Sequence, residues 1–478
     1  MRQTQEDAYS LIISENLQYD RNKEQWQYLL ESYMGGLEYR KGHYLTRYDL
    51  ESESEYLSRL VATPLDNHCK SVISVYTSFL FRNEPYREMN SIESDPAFED
   101  FMKDADYDGR NFNSFMKEVS IWASVFGHCY VIMSKPKVQA ANRAQELEQG
   151  VRPYCSILTP LVVLDWSWSR SATGRYTLDY IKYIEDVNDT ITVIKEWSNE
   201  AIKTTTVNTD EKEILEEIVE DNELGMVPVV VAYNQRSPIR GIGVSDINDI
   251  ADHQRKIFNE LSEVEQSIRL NGHPALVKTP TVEAVGGAGA IISMPEDLDP
   301  GLKPYMLTTS TDTDSIYRSI EASVGAIDKM ANTGAVRANE TVTMSGVAME
   351  VEFSLLNAKL SEKADNLEVT EEQLWRLYAL YQDRQYDATI EYPDSFNIRD
   401  TDKEFAHLEK AKTIASDPRL VKAIDSQLME LLDIDEDDLE EAFTPHVMIN
   451  PQTNERVIAA TYEQHLELAA QGYMHEGE

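Results

Sequence analysis

Two amphipathic segments separated by a short insert constrain the fold of this chain more than any other feature. Apolar side chains recur at steps of about three and four residues from Ile247 to Ile268, and again from Ile316 to Met330. This spacing places them on one face of a helix, so each segment is predicted to be a helix with one buried side. The insert between them contains Val/Ile runs punctuated by glycine and proline, which predicts a small β-rich region.

A much longer helix is predicted after a polar loop. The loop, residues 334–346, begins and ends with glycine. From residue 347 to about 385 the pattern is helical for roughly ten turns, since an α-helix has about 3.6 residues per turn. No proline occurs between Pro304 and Pro393, so nothing here forces a helix to break.

The length and composition indicate a soluble globular protein of several domains. A chain of 478 residues predicts two to four domains, because single cores rarely grow beyond about 250–300 residues. The N-terminus is polar, and the longest apolar stretch, 119–133, is too short to span a membrane. Three scattered cysteines, Cys69, Cys129 and Cys155, favour a reducing compartment over a disulfide framework. We therefore expect an intracellular protein when it is made, without membrane association.

The charge of the chain is strongly acidic. With 84 acidic and 44 basic residues, the formal charge is −40. Tight binding to nucleic acid is not expected, because such binding depends on neutralising phosphates with Lys and Arg. Two interpretations stay open: the charge confers solubility through self-repulsion, or it forms a surface along which DNA passes without being held.

The remaining sequence divides into helical and β-rich parts. Residues 1–125 are predicted to be mainly helical, and the chain from Cys129 to about Tyr233 to be β-rich, with a hairpin turn at Asn188-Asp189. The polar stretches 137–150 and 208–223 are predicted to be exposed excursions. The C-terminal part is predicted to return to helix.

Two glycine-containing stretches partly match phosphate-binding motifs. Gly286-Gly287-Ala288-Gly289 lacks the lysine that a phosphate-binding loop requires. Gly241-Ile242-Gly243 precedes a helix, but Asp246 stands where a dinucleotide site needs its third glycine, and its charge would repel pyrophosphate. Ser245 or Asp246 is interpreted instead as the cap of the following helix.

No metal or catalytic pattern is complete. His128-Cys129 is isolated on an apolar segment, which favours core packing over a zinc site. Asp433, Asp435 and Asp437 alternate as in a calcium loop, but the required glycine and bidentate glutamate are missing. We therefore expect no cofactor, no metal ion and no enzymatic activity.

Six short motifs, in a fixed order over about residues 30–400, resemble the portal (head-to-tail connector) proteins of tailed double-stranded-DNA bacteriophages. The motifs are Thr63-Pro64-Leu65-Asp66-Asn67, Phe81-Arg82-Asn83-Glu84-Pro85, Pro228-Val229-Val230-Val231, Gly243-Val244-Ser245-Asp246-Ile247, Gly272-His273-Pro274-Ala275-Leu276-Val277 and Ser345-Gly346-Val347-Ala348. Each motif is weakly specific alone, and their order over this span is what carries the resemblance. Residues beyond about 400 show no recognisable match.

The resemblance implies an α+β fold with a mixed α/β wing, a two-helix stem, a small β-rich clip, a long wing helix and a helical crown. The first part of the wing would be residues 1–244, and residues 347–400 would add its long helix and a return strand. The remaining parts would be stem helices 245–271 and 310–333, the clip 272–309, the tunnel loop 334–346 and the crown or C-terminal region 401–478.

The resemblance also implies a function and partners. Portal subunits form a homo-oligomeric ring of about twelve copies at one capsid vertex. The ring is the channel for genome packaging and ejection, and it docks the terminase large subunit and later the head–tail adaptor proteins. The expected partners are these proteins, the major capsid protein and the double-stranded DNA in the channel. The protein would be assembled in the host cytoplasm and reside in the virion. Twelve copies would carry about −480 formal charges, along which phosphates would slide.

The implied site residues lie in the tunnel loop and the clip. Arg337, Asn339, Thr341 and Thr343 would face the DNA channel. Arg337 is the only basic residue of that loop, and a phosphate contact and an ion pair to a neighbouring subunit stay open. The residues implied at the clip interface with the motor or the adaptors are Lys278, Glu283 and Lys303.

Two other classes of function are alternatives for this chain. An acidic, metal-dependent nuclease or hydrolase would need a convergent cluster of carboxylates and lysine, and mutation of those carboxylates would abolish cleavage. Another capsid or tail-assembly protein would be distinguished by the symmetry of its ring.

Overall fold

The computed structural model describes most of the chain in two compact units, Met1–Phe396 and Asn397–Glu478. The described residues are 8–137, 143–272, 275–277, 299, 305–307, 313–337, 346–393, 395–396, 401–414, 418–431, 446–450, 453, 455–459 and 462–475. No helix in these ranges combines the length and the apolar content needed to cross a membrane.

The first part of the larger unit is helical, as predicted. Four of its helices follow a residue whose side chain accepts a hydrogen bond from a backbone N–H of the first turn: Asn16, Ser52, Asn67 and Asn111. These polar caps stop the helices from extending backwards into the preceding loops. The helices are Leu17–Met34, Gly36–Lys41, Glu53–Ala62, His68–Leu80, Phe98–Lys103 and Phe112–Phe126.

A three-stranded antiparallel sheet lies in the core of this unit. Gly127, with φ of 87°, ends the preceding helix and leads directly into the central strand His128–Ser134. Its neighbours are Tyr154–Leu158 and Val229–Tyr233. The first six residues of the central strand are all buried, because both of its faces are covered. The short helix Arg143–Glu148 lies in the stretch predicted to be an excursion.

A second sheet has five antiparallel strands in chain order. They are Val163–Arg170, Tyr176–Asn188, Ile191–Ser198, Ala201–Asn208 and Glu213–Asp221. Asp189, with φ of 48°, lies in the turn between the second and third strands, which confirms the predicted hairpin. The stretch 208–223 is mostly exposed, as predicted, but it contains a regular strand where only an excursion was expected. Glu213–Asp221, hereafter the edge strand, pairs with Ala201–Asn208, and acidic side chains on both faces conceal the strand pattern from sequence reasoning.

The predicted amphipathic pair forms two helices. The first paired helix is Ile250–Gly272 and the second paired helix is Thr313–Ala331. The first begins five residues later than predicted, because residues 246–249 form turns. Between the two helices, Ala275–Val277 pairs antiparallel with Tyr305–Leu307, and most of the predicted clip lies outside the described residues.

The predicted long helix is present as Gly346–Tyr381, ending about one turn earlier than expected. Its buried Trp375 and Tyr378 pack against Phe101, and Trp375 also contacts Phe112. After it, the strand Thr389–Glu391 returns to pair with Tyr86–Glu88. The long helix therefore closes the same core that the first helices began.

The smaller unit contains the helices predicted for the C-terminal part and, in addition, a small sheet that the sequence did not predict. Its described helices are Thr401–Ile414, Pro418–Leu431 and Tyr462–Ala470. Its strands His446–Ile449, Arg456–Ala459 and Met474–His475 form an antiparallel sheet with His446–Ile449 in the centre. Strands of two to four residues are too short for their periodicity to be distinguished from that of a helix.

Candidate functional site

The two paired helices run antiparallel and contact each other through polar and apolar side chains. Lys256 Nζ donates to Ser323 Oγ at 3.1 Å, and Ser319 Oγ donates to Glu260 Oε1 at 2.6 Å. As the residue number rises by four on the first helix, it falls by four on the second, which fixes the antiparallel direction. Buried apolar residues on the two helices include Ile257, Val264, Ile320 and Ile327.

Gln254 anchors the base of the first paired helix to the N-terminal helices. Its side chain is fully buried. The amide oxygen accepts from the backbone N–H of Cys69 at 2.9 Å, and the amide nitrogen donates to the carbonyl of Ser32 at 3.0 Å. A polar residue that interrupts the apolar stripe of the helix is therefore satisfied by two backbone groups.

Arg59 fixes the next two turns of the same helix. Its buried guanidinium donates to both carboxylate oxygens of Glu51, each at 2.7 Å, and to Ser262 Oγ at 3.0 Å. It also donates to the carbonyl of Thr46 at 2.7 Å. A bidentate contact of this kind holds geometry as well as charge, so the helix is attached to the loop at 46–51 in one defined register.

Arg337 lies at the root of the predicted tunnel loop, on the short helix Gly334–Arg337. Its guanidinium is mostly buried and lies 2.7 Å from Asp328 Oδ1, at the end of the second paired helix. A second nitrogen of the guanidinium contacts His68 Nδ1 at 2.8 Å. Within one chain, Arg337 therefore ties the loop root to two helices, and its contact with DNA or with a neighbouring subunit stays a prediction.

His68 is held neutral by this arrangement. Burial, reinforced by the nearby guanidinium, lowers the pKa of His68. Because a guanidinium can only donate hydrogen bonds, Nδ1 of His68 accepts and the ring proton resides on Nε2. Close by, the hydroxyl of Tyr76 donates to the carbonyl of Ala331 at 2.5 Å and fixes the end of the second paired helix.

Ser245 or Asp246 is predicted to cap the first paired helix, and the structure gives Asp246 a different role. Its carboxylate is 2.6 Å from Lys363 Nζ and 3.1 Å from Lys359 Nζ, both on the long helix. Ser245 does act as a local cap, because its Oγ accepts from the backbone N–H of Ile247 at 3.1 Å. Sequence reasoning missed this ion pair, although two lysines one turn apart among buried apolar positions were a signal for it.

The cluster around Asp246 joins the long helix to the core sheet. Lys363 Nζ also donates to Ser124 Oγ at 2.8 Å and to Asn234 Oδ1. Burial alone would raise the pKa of Asp246, but the two ammonium groups hold it at about 2. Burial lowers the pKa of Lys363. The carboxylate is therefore ionised at neutral pH and bridges parts of the chain more than 100 residues apart.

His128 has the core role that the sequence predicted. It is fully buried, and burial lowers its pKa to about 3. Its Nδ1 accepts from the backbone N–H of Gly243 at 3.2 Å. The neutral ring thus helps to position the loop that precedes the first paired helix.

The other predicted site residues lie outside the described part of the chain. They are Asn339, Thr341 and Thr343 of the tunnel loop, and Lys278, Glu283 and Lys303 of the clip. Among the described residues, no group of three or more His, Cys, Asp or Glu side chains is arranged to hold a metal ion.

Comparison with known proteins gives a remote likeness only. No protein-family model and no curated protein match the chain. Among solved structures, it is similar to a chain described as "Virion of native gene transfer agent (GTA) particle", at 11% identity and a TM-score of 0.42, covering 83% of this chain and 98% of that one. It is also similar to "Neck of empty GTA particle computed with C6 symmetry", at 10% identity and a TM-score of 0.43, covering 81% of this chain and 95% of that one. For "Neck of native GTA particle computed with C12 symmetry" the identity is 10% and the TM-score 0.40, with 75% of this chain and 89% of that one covered. Values this low establish neither a family nor a shared fold.

Proposed function

We propose that this chain is the subunit of a portal-type ring at one capsid vertex, which conducts double-stranded DNA during packaging and ejection and performs no catalysis itself. Its proposed partners are further copies of itself, the major capsid protein, the terminase large subunit and head–tail adaptor proteins. The ordered motifs of the sequence support this proposal, and so do the surfaces of the paired helices.

The observation that carries the proposal is the exposed apolar surface of the antiparallel helix pair. Ile268 on the first helix is 55% exposed, and Tyr317 on the second is 47% exposed. Met330 is exposed near the end of the second helix. These side chains are not covered by the described part of their own chain, and exposed apolar side chains on a helix pair favour a protein partner. In a ring, each pair would pack against the next one.

The elements that follow carry more side chains of the same kind. Val336 is exposed beside the loop root, and Met349, Val351 and Leu355 are exposed in the first turns of the long helix. The later turns of that helix are buried in the core around Trp375. The same helix therefore begins at a surface suited to a neighbouring copy and ends inside its own subunit.

The charge of the chain suits a conduit better than a DNA-binding protein. A formal charge of −40 per copy accumulates around a ring, and phosphates are repelled by it at short range. The intrachain partners of Arg337 also reduce its availability as a phosphate ligand. Both features favour passage of DNA over retention.

The proposal is tested by particle imaging and native mass measurement of the full, tag-free chain. The expected result is a ring near twelve copies with a central hole wide enough for duplex DNA. Placing charges in the helix pair with Ile268→Asp and Tyr317→Asp is expected to abolish the ring while the subunit stays folded. Leu37→Asp, a similarly exposed apolar residue on another helix, serves as the matched control and is expected to leave the ring intact.

A chain that stays monomeric even with scaffold and capsid protein present would contradict the proposal. Screening for metal-dependent hydrolysis would then test the nuclease alternative. Rings of another symmetry would favour a different capsid or tail-assembly protein.

A further inference from the structure

Four arginines form an exposed cluster, hereafter the arginine patch. It lies at the end of the outer strand Val163–Arg170 of the five-stranded sheet. Arg170 and Arg175 flank the turn after the first strand, and Arg236 and Arg240 lie on the loop that follows Val229–Tyr233. Acidic residues outnumber basic ones by almost two to one in this chain. Even so, none of the four arginines has a carboxylate partner among the described residues. The patch is therefore an unneutralised positive surface.

Aromatic rings hold three of the four arginines of the patch. The guanidinium carbon of Arg240 lies 3.6 Å from the centre of the Tyr176 ring, and that of Arg170 lies 5.5 Å from the same ring. Arg236 lies over Tyr233 at 5.2 Å. Stacking on an aromatic face fixes a guanidinium while leaving its in-plane N–H groups available as donors.

The loop that carries two of these arginines is itself fixed. The hydroxyl of Tyr233 accepts from the backbone N–H of Gly241 at 3.1 Å. Gly241 has φ of 82°, and a side chain there would collide with the ring of Trp166. The patch is therefore built on positioned backbone, as a specific binding surface requires.

The opposite edge of the same sheet has the opposite charge. The edge strand carries Glu213, Glu216, Glu217, Glu220 and Asp221, separated by the exposed apolar residues Leu215, Ile218 and Val219. Glu217 pairs with Lys203 and Glu220 with Lys137, whereas the other three acids have no ion pair among the described residues. Four strand spacings of about 4.8 Å place the two edges roughly 19 Å apart.

The two edges also differ in how the chain covers them. The outer strand Val163–Arg170 is covered by Asn16, whose backbone N–H donates to the carbonyl of Leu164 at 2.8 Å and whose side chain donates to that of Trp166 at 3.3 Å. Nothing among the described residues pairs with the outer side of the edge strand. An uncovered edge with acidic side chains resists pairing with an identical edge, because like charges would face each other.

We propose that the arginine patch of one copy binds the edge strand of a second copy, so that neighbouring subunits join head to tail through their five-stranded sheets. The contact rests on the proposed ring function and specifies one surface of it. A head-to-tail contact uses two different surfaces of each copy, as a closed ring of more than two subunits requires. The exposed Tyr176 and Ile239 beside the arginines match the apolar residues of the edge strand. The contact is expected to weaken with added salt.

The test uses two charge-reversed full-length chains. The patch variant carries Arg170→Glu, Arg236→Glu and Arg240→Glu. The edge variant carries Glu213→Lys, Glu216→Lys and Asp221→Lys, the three acids of the edge strand that have no ion pair among the described residues. Each alone places like charges across the contact and is expected to weaken self-association at low salt at least tenfold, measured by analytical ultracentrifugation. A control with Glu93→Lys, Glu99→Lys and Asp100→Lys, all exposed and outside the contact, makes the same charge change as the edge variant and is expected to associate normally.

Mixing the two variants provides the decisive measurement. In the mixture every contact between unlike variants joins opposite charges, so assembly is expected to return with the variants in equal number by native mass spectrometry. Restoration by mixing also shows that the single variants were folded. Separate variants that associate as strongly as the wild type would overturn this contact and leave the ring in place. Failure of the mixture to associate would overturn it as well.

Two further results would assign the surfaces differently. A patch variant that assembles normally but loses retention of a fluorescent DNA duplex would make the patch a nucleic-acid contact and overturn the protein contact. A wild-type chain that does not self-associate at any salt concentration, with scaffold and capsid protein present, would contradict the ring function itself and, with it, this contact.

Discussion

The carboxylate of Asp246 links the long helix to the residues that precede the first paired helix. It is buried, yet ionised, because Lys359 and Lys363 of the long helix approach it from two successive turns. Removing one member of a buried ion pair leaves a charge without compensation in a medium of low polarity. The first paired helix and the long helix therefore depend on each other through this cluster.

Replacing this carboxylate should be costly. We expect Asp246→Asn to lower the free energy of unfolding at pH 7 by about 3–5 kcal/mol, measured by urea denaturation. Glu99→Gln is the control, because Glu99 pairs with Lys103 at 3.0 Å on the surface. An exposed pair contributes at most about 1 kcal/mol. A loss at Asp246 no larger than that at Glu99 would show that the cluster is not a stabilising ion pair.

The same cluster predicts that the free energy of unfolding depends on pH in the acid range. The pKa of Asp246 is about 2 in the folded chain, below its ordinary value of 3.8. A carboxyl with a lowered pKa contributes stability that is complete above the ordinary value and is lost as the pH falls through the folded value. The difference in unfolding free energy between wild type and Asp246→Asn should therefore shrink between about pH 4 and pH 2. A constant difference over that range would contradict the assignment.

The ion pair between Arg337 and Asp328 is expected to stabilise the root of the predicted tunnel loop. We expect Asp328→Asn to weaken its ion pair, lower stability by about 1–3 kcal/mol, and speed hydrogen exchange of the backbone amides of residues 333–337. Lys329→Gln, at the adjacent exposed position, is the control and should leave the exchange unchanged. Unaltered exchange in Asp328→Asn would show that the loop root is held by other contacts.

At the scale of elements, two glycines decide how the core strand and the paired helices meet. Gly127 ends the helix Phe112–Phe126 and Gly243 lies on the loop before the first paired helix. A Cβ on Gly243 would lie 1.9 Å from the carbonyl oxygen of Gly127, a contact that atoms cannot make without backbone movement. The close approach also allows the backbone N–H of Gly243 to reach His128.

Substitution of glycine by alanine should therefore have opposite effects in two elements. Gly243→Ala is expected to destabilise the protein by about 3 kcal/mol or more, as other overpacked sites do. Gly325→Ala is the control, since Gly325 is exposed in the second paired helix with open space around it. It should stabilise by up to about 1 kcal/mol, because alanine favours the helix. Thermal denaturation of both variants tests the pair, and a neutral Gly243→Ala would contradict the close approach.

At the scale of the whole molecule, the chain separates into two compact units. The first ends at Phe396, after the strand Thr389–Glu391 has paired with Tyr86–Glu88. Tyr392, which follows that strand, is buried and donates to Glu371 of the long helix at 2.6 Å. Contacts that complete the core of the larger unit therefore extend to its last residues.

Truncation at two points tests this division. A chain ending at Phe396 should keep the unfolding temperature of the larger unit to within about 3 °C, since the core is intact. A chain ending at Tyr381 lacks Tyr392 and the return strand. It should unfold at least about 8 °C lower, because Glu371 loses the hydrogen bond from Tyr392 and the strand Tyr86–Glu88 loses its neighbour. Differential scanning calorimetry of both chains provides the measurement. Equal unfolding temperatures would contradict the placement of the boundary.

The sequence by itself determined the elements whose pattern is local. The paired helices, the long helix, the hairpin at Asn188-Asp189 and the core position of His128 follow from periodicity, turn residues and isolation of a potential ligand. These features depend on residues a few positions apart, so they are visible in a single chain read in order.

Only the tertiary structure decided what depends on distant partners. Gln254 and Asp246 are satisfied by groups more than 100 residues away, and Arg337 is paired with His68 across 269 positions. The edge strand and the sheet of the smaller unit form because their backbone N–H and C=O groups pair with adjacent strands. The apolar pattern of their side chains does not indicate this pairing. Pairing across such separations is set by how elements pack, and no local spacing in the sequence encodes it.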